Sequence, residues 1–257
     1  MIRRLTDHAQ LVAASDDDPF VGWDCDPRPP LDAWADRDGT AVAFARDSHR
    51  WGRSLVAVGP PDAAAELAAR LLDITGLPAA TVSRPATPQE CWAAPLAGLT
   101  RLADWDWMWV DTAPRPGAPP AQERVETVRA VAADDPDADA VRALLAQASP
   151  RHSADPGDRL VRGWVGVRDP DDASRLLACA AWQERVPGVP HLASIASLPA
   201  LRGRGLGTAV TGVLTRRLLD AGAPVVTLAL YADNLPARRL YDRLGYRPAQ
   251  RFSTWVR

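Results

Sequence analysis

The chain has 257 residues, is 47% hydrophobic and 24% charged, and carries a formal net charge of −2. At roughly 100–200 residues per domain, it fits one large or two small globular domains with a sizeable core. A near-neutral balance excludes the strongly basic surface of a protein built to hold a nucleic-acid backbone, and no run approaches the ~20 apolar residues of a membrane span.

Cys25, Cys91 and Cys179 lie far apart, and no pair has metal-ligand spacing, so no metal site is expected. An odd number argues against a disulfide framework and points to a reducing cytoplasm. The N-terminus lacks the apolar core of a signal peptide.

In the first half, residues 40–45 and 54–58 are apolar runs of strand length. Pro61 and Asp62 then open a helical pattern through residue 72, and residues 81–83 read as a short strand. Trp105, Trp107 and Trp109 alternate with Asp106 and Met108, which puts three indoles on one face of a strand. They suit a core or interdomain face, or an aromatic wall for a bound molecule. Residues 111–122 carry Pro114, Pro116, Pro119 and Pro120. Such a stretch forms neither helix nor ladder and serves as a stiff linker. It divides the chain into domains at 1–120 and 121–257.

The second half is easier to read. Residues 124–130 alternate like a strand, and 137–147 form a helix with Val141, Leu144 and Leu145 on one face. Strands follow at 163–167 and 176–182 around a polar turn, then at 191–198. Next comes Pro199, followed by Arg202-Gly203-Arg204-Gly205-Leu206-Gly207-Thr208. From Leu206 the apolar residues Val210, Val213, Leu214 and Leu218 keep a helical period until Gly222 and Pro224 stop it.

A helix begins with unpaired N–H groups and about half a positive charge. Glycines let its backbone close on an anion, so the segment is a candidate phosphate loop. Arg202 and Arg204 add attraction for a diphosphate. Glycine-alternating loops also open dinucleotide folds. This one comes late in its domain and is followed by no Gly-Lys-Ser/Thr.

A strand at 225–231 then leads to Asn234, Ala237, Tyr241, Gly245 and Tyr246. The Arg202–Gly207 loop, the proline before it and this Asn-Ala-Tyr-Gly-Tyr series resemble, in order, two motifs of the GCN5-related N-acetyltransferase (GNAT) family. The resemblance covers about residues 124–257. It implies an α/β fold in the C-terminal half, with a mixed, mostly antiparallel sheet flanked by helices, beside a smaller α/β N-terminal domain. The strand, strand, helix, strand order of that smaller domain resembles part of a second, degenerate copy.

The resemblance also implies the chemistry. Acetyl-CoA would donate its acetyl group to a primary amine of a small molecule or peptide, in a ternary complex. The chain has no lysine of its own, so a lysine acceptor would come from elsewhere. Residues 202–208 would grip the coenzyme A diphosphate. Ile195, Ala196, Ser197 and Leu198 would face the pantetheine and thioester from a bulged strand, although relatives usually carry a bulky aliphatic where Ser197 stands. Asn234 would lie near the coenzyme and also suits a helix N-cap. Tyr241 would protonate the departing thiolate, and His191 or Glu184 would take the amine proton. The competing readings are an acyl-CoA sensor without turnover and an NAD(P)-binding oxidoreductase domain.

Overall fold

The computed structural model describes residues 2–48, 52–86, 93–115 and 124–257. Cys91 and most of the predicted proline linker, residues 116–122, lie outside the described residues. The chain forms two compact units. The first comprises Met1–Trp107, Leu230–Asn234 and Pro248–Arg257, and the second comprises Met108–Ala229 and Leu235–Arg247.

The first unit opens with β1 (Arg3–Leu5), α1 (His8–Ala14), α2 (Pro19–Asp24) and β2 (Ala33–Ala35). None of these four was legible in the sequence, because three-residue strands and one- to two-turn helices are too short to show a period. β3 (Val42–Ser48), β4 (Gly52–Val58), α3 (Pro61–Thr75), β5 (Ala79–Ser83) and β6 (Thr100–Val110) follow. The expected helix therefore runs three residues beyond 72. It stops on Gly76, whose φ of 67° lets its N–H cap Leu72 O at 2.9 Å. Ala64, Leu67, Ala68 and Leu71 on α3 pack on Leu55 and Ala57 of β4 and Val82 of β5.

The second unit contains β7 (Val125–Val128), α4 (Ala138–Ala148), β8 (Val161–Arg168), β9 (Leu176–Val186), β10 (Val189–Ser197), α5 (Leu206–Asp220), β11 (Val226–Tyr231) and α6 (Leu235–Arg243). β9 outruns the expected 176–182 by four residues, because the polar Gln183 is itself fully buried. β12 (Arg247–Val256) closes the chain.

In the second unit the strand order is β11-β10-β9-β8-β7. β7 to β10 pair antiparallel in sequence, and β10 with β11 parallel, with α5 as the crossover. The first unit repeats this scheme. β2, β3 and β4 pair antiparallel in sequence, and β4 with β5 parallel across α3. β12 returns to this unit and pairs antiparallel with β5. Both units are thus mixed sheets covered by helices, the fold class expected of the chain. Among the described pairings each unit has one parallel pair, unlike the mainly parallel sheet of the dinucleotide-binding fold that the oxidoreductase reading requires.

Trp105 and Trp107 pack within the first unit. Trp107 meets Phe20 edge-on at 5.4 Å, Phe20 lies 4.7 Å from Phe252, and Trp105 donates to Thr254 Oγ1 at 2.9 Å. In the second unit Trp109 lies 3.9 Å beneath the Arg247 guanidinium.

Candidate functional site

The loop between β10 and α5 is built around two left-handed backbone conformations that favour glycine. Gly203 has φ 80° and Gly205 φ 79°. A Cβ at either would meet nothing within 4 Å, so the turn and not the space demands glycine. Gly205 caps α5, and its carbonyl accepts from Ala209 N–H at 2.9 Å. Among the described hydrogen bonds, the N–H groups of Gly203, Gly205, Leu206, Gly207 and Thr208 have no acceptor. Gly207 has a different reason to be small: its Cβ would stand 3.3 Å from Leu240 on α6. The two arginines part company. Arg202 donates to Ala148 O at 3.0 Å and so caps the C-terminus of α4, while Arg204 is exposed beside the loop.

The strand leading into this loop is bulged between Ala193 and Ala196. From Ala193 to Ala196, β10 advances three residues while β9 advances two, from Ala181 to Cys179. Ser194 sits in the bulge at φ 48°, rare for a residue with a side chain. Its hydroxyl donates to Ala154 O and accepts from Ala154 N–H, both at 2.8 Å, and Cys179 Sγ donates to its carbonyl at 3.6 Å. Leu198 N–H donates to Leu177 O at 2.9 Å, so its amide is engaged in the sheet. Ala196 is buried, and Ile195 and Ser197 are half-buried.

β10 and β11 are in register only at His191/Thr227 and Leu192/Leu228. Beyond Leu192 no further pairing of β10 with β11 is described, and the bulge of β10 begins there.

Tyr241, on α6, is buried (6% exposed), and its hydroxyl makes no hydrogen bond with the described residues. Burial pushes its phenol well above the ordinary tyrosine range. The neighbouring Tyr246 ring, 5.9 Å away, is also pushed up by burial, and its hydroxyl pairs with Thr215 Oγ1 at 2.7 Å.

His191 is buried, with Nδ1 2.9 Å from Thr227 Oγ1. The Thr227 hydroxyl has one proton and donates it to Pro190 O at 3.2 Å. It therefore accepts from His191 Nδ1–H. Glu184 is placed differently. It accepts from Gly188 N–H at 2.7 Å and pairs with Arg162 at 3.4 Å, so it closes the turn between β9 and β10. Asn234 lies in the first unit, where its N–H donates to Tyr231 O at 2.9 Å and turns the chain into α6. Sequence reasoning passed over the Ser194–Ala154 pair, since a serine inside an apolar strand gives no sign of its backbone angle.

Residues 165–256 match the family described as FR47-like protein. The chain is 35% identical over 125 residues to a mycothiol acetyltransferase from Nocardia farcinica, covering 46% of this chain and 39% of that protein. It is 39% identical over 56 residues to a mycothiol acetyltransferase from Corynebacterium aurimucosum, covering 22% of this chain and 18% of that one. The chain thus spans well under half the length of these curated relatives. A GCN5-related N-acetyltransferase structure from Sphaerobacter thermophilus aligns over 100% of this chain and 95% of its own, with TM-score 0.59 at 18% identity. A GNAT-family structure from Novosphingobium aromaticivorans aligns over 78% and 82%, with TM-score 0.51 at 24% identity. At these identities the structures show a shared fold.

Proposed function

We propose that this chain is a GCN5-related N-acetyltransferase that transfers an acetyl group from acetyl-CoA to the primary amine of a small molecule or peptide, a reading supported by its similarity to FR47-like proteins over residues 165–256 and to mycothiol acetyltransferases. Five unclaimed N–H groups on the glycine loop carry this reading. They form an anion site at a helix N-terminus, just beyond the bulged strand β10. A diphosphate fits those donors, and the pantetheine arm would run along β10.

In the chemistry we infer, an amine must first be neutral. At pKa ~10.4 it is mostly protonated near pH 7, and each unit costs about 1.36 kcal/mol. His191 Nε2 takes that proton, while Thr227 holds Nδ1–H and fixes the tautomer. His191 suits the role better than Glu184, which is tied to Gly188 and Arg162. The amine nitrogen then attacks the thioester carbonyl, and the amide of Ile195 in the bulge is the candidate donor to the developing oxyanion, since that of Ala196 is turned to Cys179. As the carbon–sulfur bond breaks, Tyr241 gives its proton to the leaving thiolate. The raised Tyr241 pKa keeps it protonated throughout the neutral range. Ser197 and Leu198 line the strand beside the arm. Cys25 and Cys179 are free buried thiols, consistent with the reducing cytoplasm we propose.

A thiol-release assay over an amine panel tests the proposal. Release that depends on amine supports it. Tight acetyl-CoA binding with no turnover on any amine would instead favour a sensor, a reading to which the engagement of Glu184 lends some weight.

A further inference from the structure

His152 takes no part in the chemistry above, yet its ring bridges the loop that follows α4. Nδ1 lies 2.8 Å from Ser149 O, and Nε2 lies 2.9 Å from Asp155 Oδ1. A main-chain carbonyl and a carboxylate accept protons and offer none. Both ring nitrogens must therefore donate, and only the imidazolium has two N–H groups. The surroundings suit that cation. Ser149 is the C-cap of α4, at the negative end of the helix, and Asp155 supplies a full negative charge. The ring is half-buried and Asp155 is exposed. Arg202 reaches in from the glycine loop, donates to Ala148 O beside Ser149 at 3.0 Å, and opposes the cation. Arg151 precedes the ring in the chain. The Asp158 carboxylate accepts from Leu160 N–H at 3.0 Å and Gln183 Nε2 at 3.2 Å. β10 meets this loop through the uncharged Ser194 hydroxyl.

The bridge joins residues 149 and 155, and Ala154 lies inside that span. Both main-chain groups of Ala154 are held by Ser194, in the β10 bulge and next to Ile195. A neutral ring has one N–H, so it keeps one of its two acceptors and the span comes open. We propose that His152 is a pH-sensitive brace. Its imidazolium closes the loop around Ala154 and so fixes the bulge, and loss of the ring proton loosens both. The brace is therefore present at low pH and lost as pH rises through the ring's titration. Its consequence for acetyl transfer rests on the transferase reading, whereas the brace itself does not.

Nitrogen-15 NMR of the full chain, followed from about pH 5 to about pH 9, reads the His152 ring nitrogens and the Ala154 amide together. In wild type both ring nitrogens carry protons at the acid end, and the Ala154 signal moves with the same midpoint as the ring. Asp155→Asn shifts both midpoints to lower pH, and His152→Gln leaves the Ala154 signal flat. The ratio of wild-type kcat to that of His152→Gln falls from roughly 10 toward 1 as the ring loses its proton, within the roughly 100-fold that a displacement of about 1 Å can cost. An Ala154 signal that ignores the ring's titration, or a kcat ratio that does not change with pH, overturns the brace. Failure of acetyl transfer with every amine would overturn the transferase reading alone, and the NMR titration would still decide the brace.

Discussion

The hydroxyl of Ser194 closes a reciprocal pair with the backbone of Ala154, donating to its carbonyl and accepting from its N–H, each at 2.8 Å. One side chain thus ties the segment after α4 to the bulge of β10. It also holds φ 48°, a conformation that strands do not otherwise keep. Ser194→Ala leaves two buried backbone groups without partners, which costs about 1–3 kcal/mol each way the loop cannot relax. We expect a lower urea midpoint, a kcat reduced roughly tenfold and an unchanged affinity for coenzyme A. Ser194→Gly relieves the backbone strain but not the lost pair, so it recovers stability and not turnover. Steady-state thiol release alongside urea melts checks both.

The two loop arginines are expected to behave differently. Arg204→Glu places a negative charge beside an anion site and weakens coenzyme A binding about tenfold or more. Arg202→Ala removes the hydrogen bond to Ala148 O, so it lowers stability with a smaller effect on affinity. Gly205→Ala forces a side chain to φ 79°, at a cost of roughly 1–2 kcal/mol, and weakens both. Calorimetric titration of each variant separates these outcomes.

Much of the second unit could be read because its signals are local. The loop glycines, the period of α5 and the stop at Gly222 each lie within a few residues of one another. The β10 bulge came from the resemblance, and the structure shows where it falls. Other features depend on distant partners. Nothing near Arg202 in sequence tells that it reaches Ala148, and nothing near Glu184 tells that it turns back to Gly188 and Arg162. The return of β12 to pair with β5 joins residues 79–83 to 252–256, a separation no periodicity encodes. The repeated topology of the first unit was faintly visible as strand, strand, helix, strand, while β1, α1, α2 and β2 were too short to register.

Tyr241→Phe removes the hydroxyl of the proposed proton donor and leaves the ring packed. A kcat lower by roughly 10- to 100-fold, with unchanged coenzyme A affinity, is expected. Because burial raises the Tyr241 pKa, wild-type kcat shows no alkaline loss from this group below about pH 10. A pH–rate profile for both proteins checks this.

The same burial links stability to pH. Tyr241 and Tyr246 are raised in the folded chain, so their neutral forms favour folding below the unfolded tyrosine pKa of about 10. Above that, the unfolded chain loses protons that the folded chain retains, and stability falls as pH rises toward the folded values. Urea midpoints should be flat near neutrality and decline above about pH 10. Tyr246→Phe should show a shallower decline.

The two units differ at the helix that follows their first parallel strand. α5 opens on Gly205, whereas α3 opens on Pro60 and Pro61 with Asp62 in its first turn. Prolines supply no N–H, and an acid repels phosphate. The account therefore rests most directly on isothermal titration of the full chain with acetyl-CoA. It predicts one site per chain, lost or strongly weakened in Arg204→Glu. Two equivalent sites, or no heat at all, would contradict it.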